Sequence, residues 1–85
     1  MTTYTVIIER KASKTLLSLE PRQRARIAGA IELLAQNPFP PSARKLTNRA
    51  AYRVRVGDYR IIYTVHERTI TIAVLGIGHR KDVYR

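Results

Sequence analysis

Residues 37–42 (NPFPPS) separate two halves of the chain that differ in hydrophobic period. Proline fixes φ and has no backbone N–H, so three prolines in four positions exclude a helix or a central strand from this segment. The chain has only 85 residues, and neither half is long enough to bury a core without the other. We therefore expect residues 1–85 to form one domain in which the proline segment is a loop.

The front half predicts one strand followed by two helices. Residues 4–9 alternate well enough for a half-buried strand. Pro21 suits the first turn of a helix, and Asn37 before Pro38 ends it, so a helix is expected between them. Apolar residues recur at helical spacing on both sides of Pro21. These stripes are Ala12, Leu16 and Leu19 in the first helix and Ile27, Ile31 and Leu34 in the second.

The back half has a period of two and predicts three strands. They are expected over residues 51–56, 59–65 and 69–77, with Gly57-Asp58 as a two-residue turn in which the glycine supplies a positive φ. The whole chain therefore predicts an α+β fold with the element order β-α-α-β-β-β. In this fold a two-helix hairpin packs on one face of a small, four-stranded antiparallel sheet.

The first predicted hairpin of the back half brings three arginines together. A two-residue turn places Val56 opposite Tyr59 and Arg55 opposite Arg60. Arg53 then shares the outer face, the sheet face away from the helices, with Arg55 and Arg60. Like charges directly opposite each other destabilise a sheet. This patch is therefore either a solvated face on which arginine stems cover apolar surface, or a site for an anion such as phosphate.

The charge balance favours a negatively charged partner. The chain has 16 Lys or Arg against 6 Asp or Glu, a formal net charge of +10, and arginine outnumbers lysine 12 to 4. Guanidinium groups present a planar fork of donors that matches phosphate oxygens. A merely soluble basic surface is the alternative, but the clustering of the arginines favours nucleic acid or an acidic protein as the partner.

The segment that follows the last predicted strand concentrates functional side chains within seven positions. They are His79, Arg80, Lys81, Tyr84 and Arg85. Strict alternation would place Arg80 on the inner face, so Arg80 reaches the outer patch only if the strand bulges at Gly76 or Gly78. Tyr84 can stack on a base, act on a ribose hydroxyl, or pack against the sheet edge.

Composition excludes several kinds of site. The chain has no cysteine, which rules out disulfides, thiolate zinc sites, Fe–S clusters and a cysteine nucleophile, and suits a reducing cytoplasm. No apolar run approaches the roughly 20 residues of a membrane helix, and the N-terminus has no signal region. The acidic residues are scattered, so we expect no metal and no cofactor. Cleavage of RNA by these residues would use the RNA's own 2′-hydroxyl as nucleophile, with arginines stabilising the phosphate charge.

Residues 52–63 (YRVRVGDYRIIY) and 78–85 (GHRKDVYR) resemble the RelE branch of the RelE/ParE toxins. The segment Arg44-Lys45-Leu46 and the strand–helix–helix order also fit, so the resemblance covers essentially the whole chain. It implies a RelE-like fold and a toxin of a type II toxin–antitoxin system. Its implied activity is that of a metal-independent, ribosome-dependent mRNA endonuclease, which cleaves in the ribosomal A site and inhibits translation. The implied products are a 2′,3′-cyclic phosphate and a 5′-hydroxyl.

The resemblance also implies roles for individual residues. Arg60 matches the transition-state arginine, Arg80 the late arginine, which would stabilise the 5′-oxygen leaving group, and Tyr84 the C-terminal tyrosine. The two basic residues of the first back-half strand fall on Arg53 and Arg55, where the best-studied family pattern has lysines. The predicted phosphate-binding set is Arg53, Arg55, Lys45, His79 and Lys81.

The lysine-to-arginine departure affects the choice of general base. Arginine is effectively never deprotonated, so Arg53 and Arg55 can neutralise phosphate but cannot readily shuttle protons. Tyr84 is then the expected base for the 2′-hydroxyl, with His79 as the less favoured alternative. An unperturbed tyrosine titrates at a pKa of about 10, so Tyr84 would need strong help from adjacent cations.

The expected partners are a ribosome with its mRNA and a RelB-like antitoxin encoded beside the toxin, which would neutralise it in a hetero-oligomer. Two other interpretations stay open at the level of the sequence. The ParE branch shares the fold but poisons DNA gyrase, and it lacks this set of basic residues with a terminal tyrosine. A non-catalytic RNA- or DNA-binding module would use the same arginine patch.

Overall fold

Two helices and five strands form the fold in the computed structural model, which describes residues 2–79. The helices begin where the sequence predicts: α1 follows Glu9, and Pro21 is the first residue of α2. Asn37 ends α2, and its N–H donates to the Leu33 carbonyl at 2.9 Å. The elements are β1 Thr5–Ile8, α1 Arg10–Ser18, α2 Pro21–Gln36, β2 Arg44–Lys45, β3 Tyr52–Val56, β4 Tyr59–His66 and β5 Thr71–His79.

The strands form one sheet with the order β1-β5-β4-β3-β2. The α+β class and the helical hairpin are as predicted, but the sheet has five strands rather than four and is mixed rather than antiparallel. β1 runs parallel to β5, with Thr5 opposite Thr71 and Ile8 opposite Val74. This pairing joins distant parts of the chain, and no local sequence pattern indicates whether two such strands pair parallel or antiparallel. The fifth strand, β2, has two residues and is too short to show an alternation.

The β3–β4 hairpin has the predicted register. Val56 lies opposite Tyr59, Arg55 opposite Arg60 and Arg53 opposite Ile62. Gly57 has a φ of 60°, and it is the turn's one residue with a positive φ, which fits a type II′ turn with glycine at its first central position. The turn therefore fixes which side chains of β3 and β4 face the helices.

A bulge in β5 changes which residues of this strand face the helices. Ile62 lies opposite Gly76 while Tyr63 lies opposite Val74, so Leu75 is the extra residue. The alternation is reset there, and Ile77 joins Val74 on the buried side. The sequence analysis made a bulge at Gly76 or Gly78 the condition for Arg80 to reach the outer patch, and the bulge lies one residue earlier, at Leu75. Arg80, the residue for which it was required, lies outside the described residues.

The core lies between the helical hairpin and one face of the sheet. Its helical and strand residues match the predicted stripes, except that Leu16 and Leu19 are only partly buried. None of the helices in residues 2–79 is long and apolar enough to cross a membrane. The buried core cluster consists of Ala12, Ile27, Ile31, Leu34, Val54, Ile61, Tyr63, Ile72, Val74 and Ile77.

Tyr63 fastens the proline loop to the sheet. Its hydroxyl donates to the Pro38 carbonyl at 2.7 Å, and its ring stacks on Tyr52 with the centroids 5.9 Å apart. The Phe39 ring meets Tyr52 edge-on at 5.3 Å. Burial, with a smaller contribution from Tyr52, raises the pKa of Tyr63 to about 12. The loop that separates the helical and strand halves is thus held by an aromatic cluster on β3 and β4.

We expect Ile31→Ala to lower the free energy of unfolding by about 2–5 kcal/mol, because it leaves a cavity in the core. Leu33→Ala on the same helix is the matched control, since Leu33 is 66% exposed and Ile31 only 5%. Its change should stay within about 0.5 kcal/mol. Urea unfolding followed by circular dichroism measures both. Equal losses would show that the assignment of the buried helix face is wrong.

Tyr63→Phe should change how stability depends on alkaline pH. The folded-state pKa of Tyr63 is raised to about 12 from about 10 in the unfolded chain, so its contribution is fully present below pH 10 and is lost as the pH rises to 12. Below pH 10 the variant should be less stable by about 1 kcal/mol, since the Pro38 carbonyl loses its donor. The difference should shrink above pH 10 in denaturant unfolding at stepped pH. A difference that stays constant to pH 12 would contradict this role of the hydroxyl.

Candidate nucleic-acid interface

The outer face of the sheet carries the predicted arginines. Both helices pack on the opposite, inner face, where the buried residues of β3, β4 and β5 lie. The register places Arg53, Arg55 and Arg60 together on the outer face, with Arg55 and Arg60 directly opposite each other. Arg55 is exposed and Arg53 is half-buried. The structure therefore brings together the three described arginines that the sequence assigns to phosphate contact or chemistry.

Arg60 is the buried member of this group. Only 4% of its surface is exposed, and it is the only charged residue in the core of residues 2–79. Burial, followed by the charges of Arg55 and Arg53, lowers the pKa of Arg60, although arginine stays protonated at any physiological pH. A desolvated, positionally fixed cation beside two others favours an anion, and a phosphate would offset their mutual repulsion.

The β5 residues beside Arg60 are small. Gly78 lies opposite Arg60 and Gly76 opposite Ile62, both on the outer face because of the bulge. A Cβ added to Gly76 would meet no atom within 4 Å. A glycine at such a position lets a ligand or another backbone approach the sheet closely. The bulge and the glycines thus open the outer face beside the arginines.

Arg44 is a fourth arginine at this surface, and it is absent from the predicted set. It lies opposite Arg53, so it shares the outer face. Its Nη1 donates to the carbonyls of Pro41 at 2.8 Å and Ala43 at 3.0 Å, which orients the guanidinium against the proline loop. The basic pair after the prolines was the signal in the sequence, but only the pairing of β2 with β3 shows which member faces outward. Arg44, Arg53, Arg55 and Arg60 are called the arginine cluster below.

The structure does not bring Lys45 and His79 to the arginine cluster. Lys45 lies opposite Tyr52, on the inner-face side of the sheet. His79 lies opposite Tyr59, with the two rings edge-on and their centroids 5.4 Å apart. Both rings line a cavity of about 280 Å³ beside Glu20 and Asp58 at the β3–β4 turn. The physical reasons are the pairing of β2 and the bulge in β5, neither of which the sequence specifies.

Arg80, Lys81 and Tyr84, the remaining predicted site residues, lie outside residues 2–79. Within that range no group of three or more His, Asp or Glu side chains could hold a metal ion. The arginine cluster itself can bind phosphate and stabilise added negative charge, but guanidinium groups are unsuited to accept a proton. A proton acceptor for chemistry at this surface would have to come from a residue outside the cluster.

A family model described as the ParE toxin of the type II toxin–antitoxin system parDE matches residues 6–84. The chain belongs to the RelE/ParE superfamily of toxins. The toxin RelG of Mycobacterium tuberculosis is 31% identical over 96% of this chain and 97% of its own length. The resemblance to this superfamily is therefore confirmed, and the chain is a toxin of a type II toxin–antitoxin pair.

Two solved structures of RelE/ParE toxins match the fold closely. The toxin–antitoxin complex RelBE2 of Mycobacterium tuberculosis contains a chain with a TM-score of 0.85 and 27% identity, and the match covers 96% of this chain and 97% of that one. The archaeal RelE–RelB complex of Pyrococcus horikoshii contains one with a TM-score of 0.83 and 31% identity over 96% of this chain and 100% of that one. The RelE-like fold predicted for this toxin is confirmed.

Arg44→Ala should weaken binding of a short single-stranded RNA more than Lys45→Ala, because only Arg44 shares the face of the arginine cluster. Loss of one phosphate contact should also reduce the slope of log affinity against log salt by about 1. Fluorescence anisotropy at several salt concentrations measures both quantities. If the two variants lose affinity equally, binding follows net charge rather than the outer face.

Proposed function

We propose that this toxin inhibits translation as a metal-independent, ribosome-dependent endoribonuclease that cleaves mRNA in the ribosomal A site. The observation that carries the proposal is the buried Arg60 beside Arg55 and Arg53 on the outer face. Preorganised cations stabilise negative charge that develops at phosphorus, which is the main demand of this reaction. The Rel names of the similar proteins are consistent with this assignment.

In the proposed reaction the mRNA supplies its own nucleophile. The 2′-hydroxyl oxygen attacks the adjacent phosphorus, and its proton passes to a base. The bond to the 5′-oxygen breaks, and this oxygen takes up a proton from solvent to become the 5′-hydroxyl. The products are a 2′,3′-cyclic phosphate and a 5′-hydroxyl, so no water is consumed in this step. Arg53 and Arg55 hold the phosphate in the ground state, while Arg60 stabilises the added charge in the transition state.

The C-terminal residues complete the proposed site. Arg80 stabilises the 5′-oxygen leaving group, Lys81 contacts phosphate, and Tyr84 accepts the proton of the 2′-hydroxyl. His79 was the alternative base, but it lies opposite Tyr59 and lines a cavity at the β3–β4 turn, away from the outer face. That placement favours Tyr84, whose pKa would have to be lowered by neighbouring cations.

The proposed partners are the ribosome with its mRNA and a RelB-like antitoxin. The two solved structures described above are complexes of a Rel toxin with its antitoxin. A net charge of +10 favours an acidic antitoxin and speeds its encounter with the toxin. We propose that the two proteins form a hetero-oligomer in the cytoplasm.

A ParE-type gyrase poison is the second candidate, because the matching family model carries the ParE name. In vitro translation with the purified toxin, followed by primer extension on the message, separates the two. Cuts at A-site codons support the nuclease. Inhibition of gyrase supercoiling without cuts in the message would overturn it in favour of the poison.

Arg60→Ala and Arg80→Ala should each lower the single-turnover rate of message cleavage by roughly 100-fold or more, as expected for losing one preorganised electrostatic donor. Arg55→Lys should lower the cleavage rate less, because a positive charge remains although the planar guanidinium donors are lost.

Tyr84→Phe should slow cleavage and leave ribosome binding intact, since the ring is kept and only the hydroxyl is removed. Rates are measured on a ribosome-bound message, with binding measured separately.

Wild-type rates in both Arg80→Ala and Tyr84→Phe would contradict the proposed site. An undiminished rate after deletion of residues 79–85 would remove the C-terminal segment from the mechanism. A wild-type rate in Arg60→Ala would contradict the role given to its burial.

A further inference from the structure

The outer face of the sheet continues well beyond the arginine cluster. The pairing of β4, β5 and β1 extends it toward the β4–β5 turn by two further rows of side chains. The middle row is Thr64, Ala73 and Ile7, and the far row is His66, Thr71 and Thr5. His66 ends β4, about 20 Å from Arg60 along an extended strand. The outer face is therefore much longer than the arginine cluster alone.

The strands that form this face carry no carboxylates. Within residues 2–79 none of the strands contains an acidic residue, and the acidic residues of that range lie in α2, before the helices or in turns. They are Glu9, Glu20, Glu32, Asp58 and Glu67. A long surface with one sign of charge and no opposing group attracts a polyanion along its whole length.

The chemistry of the face changes with distance from the arginine cluster. In the middle row Ala73 is small and Ile7 is 53% exposed, which leaves a flat apolar surface. In the far row the exposed His66 ring is held by Thr64, with 2.9 Å between Nε2 and Oγ1. The Nδ1 atom is then the ring nitrogen that a ligand can reach. Thr71 donates its hydroxyl proton to the Thr69 carbonyl at 2.9 Å, so its oxygen can still accept a hydrogen bond.

A strained turn fixes the far row. Ile70 has a φ of 50°, and it is the one residue of 2–79 other than glycine with a positive φ. A β-branched residue in the left-handed region is strained, and such strain persists where the surrounding structure holds it and is found at ligand sites. The Ile70 carbonyl accepts from the Thr5 N–H at 2.9 Å. The turn thereby holds Thr5 beside Thr71.

These groups match RNA better than an acidic protein. An acidic segment needs a cation for each carboxylate, but the middle and far rows contain neither lysine nor arginine. Single-stranded RNA presents bases and 2′-hydroxyls as well as phosphates, which suits an apolar surface followed by hydroxyl and imidazole groups. A second copy of the chain would bring a charge of +10 to a basic face and be repelled.

We propose that the middle and far rows form a second RNA subsite, so that the toxin holds its RNA at two points on the outer face. A base packs on Ile7 and Ala73, and a ribose 2′-hydroxyl bonds to His66 and Thr71. The inference rests on the proposed RNA substrate and adds a contact several nucleotides from the phosphate on the arginine cluster. Contacts of this kind position the strand without taking part in the chemistry.

The first test measures binding of fluorescein-labelled octauridine RNA to the full-length toxin by fluorescence anisotropy, without ribosomes. Ile7→Glu should weaken binding by about tenfold or more, because it places a carboxylate on the path of the RNA. Leu17→Glu makes the same change of charge at a position that is 67% exposed on α1. It should weaken binding by less than about threefold. Far-UV circular dichroism confirms that both variants are folded.

The second test uses the 2′-hydroxyl, which distinguishes RNA from DNA. The wild type should bind octauridine RNA more tightly than the deoxyuridine oligomer of the same length. His66→Ala should lower the affinity for RNA and leave that for DNA unchanged within about twofold, because only RNA carries the group that His66 contacts. The DNA oligomer is thus an internal control for a general loss of charge or of folding.

Polyglutamate serves as the probe for an acidic protein. At an equal concentration of negative charge it should displace the RNA at least about tenfold less effectively than unlabelled octauridine does. Equally effective displacement would overturn the proposal in favour of an acidic protein. Self-association of the wild type that Ile7→Glu abolishes would overturn it in favour of a second copy.

The remaining outcomes are equally decisive. Equal losses in Ile7→Glu and Leu17→Glu, an unchanged preference for RNA in His66→Ala, or no binding of RNA by the wild type would each overturn the proposal. A toxin that shows the selective losses but does not cleave mRNA would contradict the proposed function and support this subsite. A toxin that cleaves mRNA and lacks the selective losses would do the reverse.

Discussion

Arg55 and Arg60 lie directly opposite each other on the outer face of the sheet, and the rest of the structure has to hold this unfavourable pair in place. Like charges at opposed positions destabilise a sheet, and the desolvation of Arg60 adds to this cost. The opposing force comes from the other face of the same two strands, where Val54 and Ile61 are buried. A slip of one residue in the register would send arginines into the core. The core therefore dictates where the charges lie.

The features that could be predicted from the sequence are those with a local cause. The two-residue turn at Gly57 fixes the hairpin register, which in turn places Arg53, Arg55 and Arg60 on one face. The helical stripes around Ile27 and Ile31 repeat at the spacing of a helix and face the core. In each case the residues that determine the structure lie close together in the sequence, so a local pattern is enough to predict it.

The features that could not be predicted depend on pairing between distant segments. The parallel β1–β5 pair and the two-residue β2 have no local signature. Lys45 was assigned to the phosphate-binding set, but the partner of β2 turns Arg44 outward in its place. In β5 a bulge at Gly76 or Gly78 was only a condition for Arg80 to face outward. The bulge lies at Leu75 instead, and it decides that Gly78 faces outward and His79 inward. One inserted residue exchanges the faces of every residue after it.

The two faces of the sheet therefore have different roles. The inner side carries the core, and the aromatic cluster of Tyr52 and Tyr63 fastens the proline loop to it. The same loop supplies the carbonyls that orient Arg44. The outer side carries the arginine cluster. The proline loop thus links the core to the arginine cluster.

Thermal unfolding in phosphate and in chloride at equal ionic strength tests most directly whether the arginine cluster stores repulsion that a phosphate relieves. We expect the melting temperature of the wild type to be higher in phosphate. Arg55→Gln should melt about 1–5 °C higher than the wild type in chloride and should gain less from phosphate, because the like-charged pair is gone. Arg22→Gln, which removes an exposed charge from α2, should keep the phosphate effect of the wild type. A wild type that phosphate does not stabilise, together with an Arg55→Gln variant that melts lower in chloride, would contradict the account.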